Sequence, residues 1–333
     1  MTEHQRPLPV VRGRQPEPAA FLYDAERTDG DVSLRDVDVN RLNAEQLLWI
    51  DVSGEEEVAQ LATSLHLAAE TIGVIREPAA RPALFVHADY VHVVVLTPGT
   101  PADGAQVLHC LVGTNWVLTV HRHAVDFLGR FDERIRGDSD LGKLDGHGFL
   151  AAILQEHVAS YLVELRPIEA ELDRIDLRSM TGRMEEDALL HELVATRLRL
   201  AKLRRMLEPH RELFALLSRS EFAVLSGSNA ASDFEALNEL LDRTLQSVDA
   251  TREMIVGSFE IYTTWTAHGT NKVIKRLTVV SVALLPPTLL AGVMGMNSLP
   301  GAFVTGTAFW LSLLAISALP LTVVTLAKLR RLI

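Results

Sequence analysis

The chain has 333 residues, enough for two or more structural units, with a single cysteine and a formal net charge of −11. One cysteine, Cys110, excludes an intrachain disulfide framework and a cysteine-rich metal site. The acidic excess argues against nucleic acid as a partner, because phosphate binding needs a basic surface.

The charge is unevenly placed. Residues 1–270 hold all 43 acids and 26 of the 32 basic residues, a net −17, while six basic residues and no acid follow Asn271. An acidic body of this kind suits a domain that concentrates cations, and it is also ordinary for a soluble cytoplasmic domain. Met1–Ala20 carries four prolines and no apolar core segment, which predicts a disordered lead rather than a signal peptide.

Residues 21–145 alternate strand and helix signals. Gln46–Asp51, Leu84–Leu96, Gln106–Val112 and Trp116–His121 read as strands, with a tight turn at Gly113-Thr114-Asn115. Glu55–Leu67 and Ala124–Arg136 read as helices, giving a mixed α/β domain within an α+β fold class. His121 and His123 are two apart and would share a strand face. A metal pair there competes with the plainer reading of two polar residues on a solvated strand end, and His87, His92 and His109 invite no more. No nucleophile–base pairing, glycine-rich phosphate loop or clustered carboxylate motif supports an enzyme, and no cofactor is implied.

From about Gly148 the period changes to that of a long helix. Leu154, Val158, Tyr161, Leu165, Ile168, Leu172 and Ile175 form a heptad seam, interrupted by Pro167 and ended by Thr181-Gly182. Leu189, Leu193, Thr196, Leu200, Leu203 and Leu207 continue it, so residues 146–231 read as a helical hairpin followed by a loop over Ser218–Ala231. A stalk helix over 232–276 starts near Asp233, with Ser232 or Asp233 as cap. It carries the seam Leu237, Leu241, Thr244, Val248, Thr251, Ile255, Ser258, Tyr262. No strong breaker separates it from the apolar run that follows. One helix of about 60 residues, on the order of 90 Å, would then enter the membrane, and a helix that long calls for a bundle of copies.

Leu277–Met296 and Ala302–Ala327 are uncharged runs long enough to cross a bilayer, within spans 277–297 and 302–327. Lys272, Lys275 and Arg276 precede the first, and Lys328, Arg330 and Arg331 follow the second. The positive-inside bias therefore places both termini in the cytoplasm of a cell-membrane protein. In the first span Thr278, Ser281, Leu285, Thr288 and Gly292 share one face, which extends back to Ile274 and Asn271. Small and hydroxyl residues in a row either let helices approach closely or line a wet path. Leu277, Leu284 and Leu285 on this side suit a hydrophobic constriction. With no Asp, Glu or His in the span, a proton relay is disfavoured, and a pore handling a hydrated, oxygen-loving ion such as Mg²⁺ is favoured. Pro286-Pro287 removes two backbone donors in mid-span.

Gly295-Met296-Asn297 at the outer end of the first span resembles the signature of the CorA-type magnesium transporter family. Around it, Asn271, Lys275, Leu277-Thr278, Pro286, Thr288 and Ala291-Gly292 fall at the family's spacing. Arg81-Pro82, Leu203-Arg204-Arg205 through Pro209, and Arg211-Glu212 extend the likeness over most of the chain. The resemblance implies a funnel-shaped homopentamer in the lipid bilayer. Asn297 would hold a hydrated cation at the outer mouth, and Asn271, Ile274, Leu277, Leu285, Thr288 and Gly292 would line the pore. The transported ion would be Mg²⁺, with Co²⁺ or Ni²⁺ as further cargo. The family's zinc-transporting, ZntB-like branch shares the motif and is the alternative, and a non-conducting membrane-anchored sensor or scaffold is a second one. Three departures stand out. Met294 replaces an aromatic residue, and Ser298–Gly306 lacks the acid often found after the motif. The family's sensor aspartates fall on Thr71, after Glu70, and on Ala236, after Glu235, and Glu70, Asp233, Glu235 or Glu239 would sense a metal in their place only in a different register. The expectation is a transporter without the usual magnesium-closed gate.

Overall fold

The computed structural model describes residues 19–26, 29–33, 37, 39–77, 81–99, 105–136, 144–181, 186–219, 230–294 and 306–330. The expected lead over 1–18, the Gly182 turn, the loop at 220–229 and the Gly-Met-Asn motif with the link to residue 305 lie outside the described residues.

Seven strands form one mixed sheet in the order β2-β1-β3-β7-β6-β5-β4. They are β1 Ala19–Asp24, β2 Gly30–Asp31, β3 Gln46–Val52, β4 Ala83–Val86, β5 Val91–Pro98, β6 Ala105–Val112 and β7 Trp116–His121. All neighbours are antiparallel except β3 and β7, which run parallel with Leu48 opposite Trp116. The crossover between these two carries α1 Glu55–Leu61 and α2 Ala69–Arg76, and α3 Asp126–Ile135 follows β7.

Both faces of the sheet are covered, so β5 is buried from Val91 to Thr97 and β7 along its whole length, with no alternation of buried and exposed residues. On β3, period-2 alternation sends Leu48 and Ile50 to a core with Val58 and Leu61 of α1 and Ile75 of α2. Trp49 meets Phe131 of α3 and Phe149, with ring centroids 5.9 and 5.6 Å away.

Four long or short helices follow, then a last apolar one: α4 Gly146–Thr181, α5 Glu186–Leu207, α6 His210–Leu217, α7 Ala230–Met294 and α8 Gly306–Leu329. Every residue of the three predicted seams is buried except Tyr262, which is half-buried. By contacts the chain divides into one unit of residues 1–171 with 194–254 and a second of 172–193 with 255–333.

Several local expectations are corrected. Leu84–Leu96 is two strands, not one: a turn with the His87 N–H on the Tyr90 carbonyl at 2.9 Å folds it into a hairpin that has neither Gly nor Pro to announce it. Ala19 and Ala20 stand in β1 rather than in a lead. The first helix stops at Leu61, short of Leu67, where His66 adopts φ +51°. α7 begins at Ala230, so Ser232 and Asp233 lie in its first turn instead of capping it. After Leu207, a turn through Glu208 and Pro209 opens the separate helix α6.

Candidate functional site

α7 changes character along its length. From Ala230 to Ser258 it has a buried seam and an exposed charged face. Arg211 and Arg204 hold Asp242 at 3.0 Å and Asp249 at 3.5 Å, and Thr251 Oγ1 donates to Glu169 Oε1 at 3.1 Å. Further on, an 18-residue window reaches a mean hydropathy of 2.0, yet only 11% of it is buried. Leu277, Leu284, Leu285 and Leu289 are each more than half exposed. An apolar helix left uncovered by its own chain needs an apolar solvent or a partner. By length and composition α7 can cross a membrane, and α8 contributes a shorter apolar stretch, Leu313–Leu329.

The predicted stripe lies on this part of α7. Asn271, Ile274, Leu277, Leu285, Thr288 and Gly292 are all exposed within the chain. A Cβ added to Gly292 would meet nothing within 4 Å, so no close approach inside one chain requires glycine there. Thr278 Oγ1 donates to the Ile274 carbonyl at 2.8 Å and Thr288 Oγ1 to the Leu284 carbonyl at 2.7 Å. Their protons are used within the helix, and what remains outward is hydroxyl oxygen. The helix runs unbroken through Pro286 and Pro287, whose missing N–H groups leave the carbonyls of Val282 and Ala283 without their i+4 donors. The stretch therefore offers acceptor oxygens and no carboxylate, which is a chemistry for cations that keep much of their water. Gly295, Met296 and Asn297 fall outside the described residues.

The two sensor positions differ from each other. Glu70 is exposed in the first turn of α2, where its charge favours the helix N-terminus. Beside it Thr71 is buried and committed elsewhere. Its hydroxyl bonds His87 Nε2 at 3.1 Å and the Tyr90 hydroxyl at 2.6 Å, and that hydroxyl accepts the Ala68 N–H at 3.0 Å. The cluster closes the start of α2 by hydrogen bonding inside one chain. Glu235 and Ala236 are exposed on α7. Among the described residues no three His, Cys, Asp or Glu side chains are grouped to hold a metal.

The histidines have other tasks. His121 and His123 do not form a pair: β7 ends at His121, and His123 is exposed beyond it. His121 Nε2 lies 3.2 Å from Asp51 Oδ2, while Asp51 Oδ1 accepts from Thr119, whose oxygen accepts from Trp49 Nε1. Burial opposes charge on His121, but the bond to Asp51 and that carboxylate's charge outweigh it, and its pKa is raised. His92 Nε2 and His109 Nδ1 share one hydrogen bond at 3.0 Å. Burial, with the neighbouring imidazole adding to it, pushes His92 down to about 3, and burial pushes His109 down to about 4.

A further arrangement was invisible in the sequence. β4 pairs with β5 no further than Ala83–Val94, which leaves the Leu96 backbone without a strand partner on that side. His157 Nε2 donates to the Leu96 carbonyl at 2.8 Å, as does the Tyr161 hydroxyl at 2.6 Å, and the Leu96 N–H donates to His210 Nε2 at 3.1 Å. The backbone partners fix the tautomers: His157 carries its proton on Nε2, and His210 on Nδ1, which faces the Leu207 carbonyl at 3.1 Å. Two neutral rings 4.8 Å apart thus fasten α4 and α6 to the sheet. Burial lowers both, His157 to about 4 and His210 well below its ordinary value.

Residues 44–331 match the family described as CorA-like Mg2+ transporter protein, and the chain belongs to that family. It is 25% identical over 270 residues to the putative metal ion transporter YfjQ of Bacillus subtilis (strain 168), covering 79% of this chain and 83% of that one. It is 24% identical over 260 residues to the cobalt/magnesium transport protein CorA of Methanocaldococcus jannaschii, covering 76% and 80%. The complete structure of that organism's CorA magnesium transporter superposes with a TM-score of 0.75 at 20% identity, over 93% of this chain and 97% of the other. The cytoplasmic domain of ZntB from Vibrio parahaemolyticus shares the fold more loosely, with a TM-score of 0.51 at 11% identity, over 72% and 97%.

Proposed function

We propose that this chain is a multi-pass membrane transporter that carries a divalent cation, Mg²⁺ first and Co²⁺ or Ni²⁺ as further cargo, down its electrochemical gradient. The observation that carries the reading is α7: the helix whose buried seam belongs to the acidic domain continues into an apolar stretch with an outward stripe of hydroxyl, amide and glycine positions and no acid. The names of the relatives, magnesium and cobalt carriers among them, support the cargo. In this reading five copies bring their α7 stripes around one axis, with both termini cytoplasmic. The working domains are those the sequence suggests, namely a sheet domain over 21–145, a helical hairpin over 146–231, a stalk over 232–276 and spans over 277–297 and 302–327. Asn297, with Gly295 and Met296, faces the outer mouth and takes the cation with its water. Asn271, Ile274, Leu277, Leu285, Thr288 and Gly292 line the path, which Mg²⁺ suits because it prefers oxygen and sheds water reluctantly.

Gating departs from an inter-subunit carboxylate sensor. Thr71 is spent on Tyr90 and His87, and Ala236 has no ligand atom in its side chain. Glu70 and Glu235, with Asp233 or Glu239 in a different register, are the acids left to sense a metal. The test is uptake by cells expressing wild type or Asn297→Ala. Uptake that falls at least tenfold in the variant, at equal membrane abundance, supports the pore. Unchanged uptake replaces it with a membrane-anchored, non-conducting protein.

A further inference from the structure

A cleft of about 460 Å³ opens at the end of the sheet where the β4–β5 and β6–β7 turns meet. Its volume is in the range of small-molecule sites. Three imidazoles, of His66, His87 and His147, line it together with Asp89, and among the described residues no Lys or Arg does. Among the described residues they are not part of any group of three that could hold a metal. The cleft is a built feature in two respects. His66 is held at φ +51°, in the left-handed region that a non-glycine residue enters at a cost, and such outliers gather at ligand clamps. On the opposite wall, a Cβ on Gly113 would overlap the Trp116 indole, so glycine alone lets that ring close the floor.

The ring system suggests what fits. His87 lies stacked on Tyr90, centroids 4.5 Å apart and planes 20° apart, and Tyr90 meets Trp116 at 6.1 Å. One face of half-buried His87 is thus covered by Tyr90, and the ring lines the cleft. Asp89 at the turn tip is exposed and accepts hydrogen bonds, as ribose hydroxyls require. With no Lys or Arg among the described lining residues, a phosphate finds no charged anchor in them, and recognition falls on the base and sugar. We propose that this cleft binds a nucleoside moiety, with the base laid on His87 and the ribose hydroxyls on Asp89. His87 and Tyr90 also hold Thr71 and Ala68, so an occupied cleft stiffens the first turn of α2.

The test is calorimetric titration of the full-length protein in detergent, in metal-free buffer, with adenosine, AMP and inorganic phosphate. Saturable binding of adenosine, with AMP bound or rejected, is the expected result. Ala88→Trp, an exposed substitution that fills the cleft, should weaken it at least tenfold. His66→Gly should raise the thermal midpoint while weakening adenosine severalfold, the signature of strain kept for binding. Absence of adenosine binding, binding indifferent to Ala88→Trp, or AMP binding that inorganic phosphate displaces while adenosine is silent would each overturn the proposal.

Discussion

The two ends of α7 obey opposite solvents. Between Phe234 and Ser258, leucines are buried or half-buried and acids exposed, as on a helix that lies against a protein core in water. Between Leu277 and Val293, leucines and valines are exposed on nearly every side, and the residues that break the apolar surface are small or hydroxylated. One helical period runs through both ends, yet it marks a core-facing seam in the first and a polar stripe in the second. Periodicity locates a face, and composition around the rest of the helix says which solvent that face avoids.

The sharpest way to break this comparison is to exchange the demands of the two ends. Leu237→Ala, at a fully buried site, should cost about 2–5 kcal/mol of stability, read as a lower denaturation midpoint with the protein still in the membrane. Leu289→Asp, on the exposed apolar surface, should add a penalty of about 3 kcal/mol to insertion. It should be read as a smaller membrane-integrated fraction, with the sheet domain still folded. If the two variants gave the same phenotype, the two ends would not differ in solvent.

Acid provides the next test, directed at the buried histidines of the sheet and of α4. Buried neutral histidines have folded pKa values below the unfolded value of about 6.5. Their contribution is complete above that pH and is lost as pH falls toward the folded values, about 4 for His157 and His109. Each histidine should steepen the loss by up to about 1.4 kcal/mol per pH unit across that window. Thermal midpoints measured from pH 7 to 4.5 should fall, and His92→Phe should flatten the slope by relieving one of the buried pair.

Smaller effects sharpen the picture of the stripe. Thr288→Val should reduce cation flux severalfold while leaving the thermal midpoint within about 1 °C, because the hydroxyl donates to the Leu284 carbonyl of its own helix. Smallest of all, Asp242→Ala removes an ion pair with Arg211 in which both side chains are more than half exposed. It should change stability by less than about 0.5 kcal/mol.

Much of this was legible in the sequence, and the omissions have physical reasons. The three helical seams were read residue by residue because long helices repeat one pattern many times. β1 was missed because it starts inside the expected proline-rich lead, and β2 because an edge strand of two residues carries no repeat. The hairpin at His87–Tyr90 was missed because its turn closes without Gly or Pro. The Leu96 fastening could not be read at all: His157 and His210 look like lone polar residues on apolar faces, and the backbone they hold lies 61 and 114 residues away. The Gly-Met-Asn motif is the converse, plain in the sequence and outside the described residues. Thr71 shows the gain from coordinates, since a missing sensor aspartate becomes a bonded network with Tyr90 and His87.

The central claim is cation conduction along α7, and its most direct test is flux into liposomes holding the purified protein. Mg²⁺ and Zn²⁺ would be compared with and without a pH gradient at a fixed membrane potential. The account predicts Mg²⁺ entry driven by potential and indifferent to the pH gradient. Zn²⁺ entry that follows the proton gradient, or no flux of either ion, would contradict it.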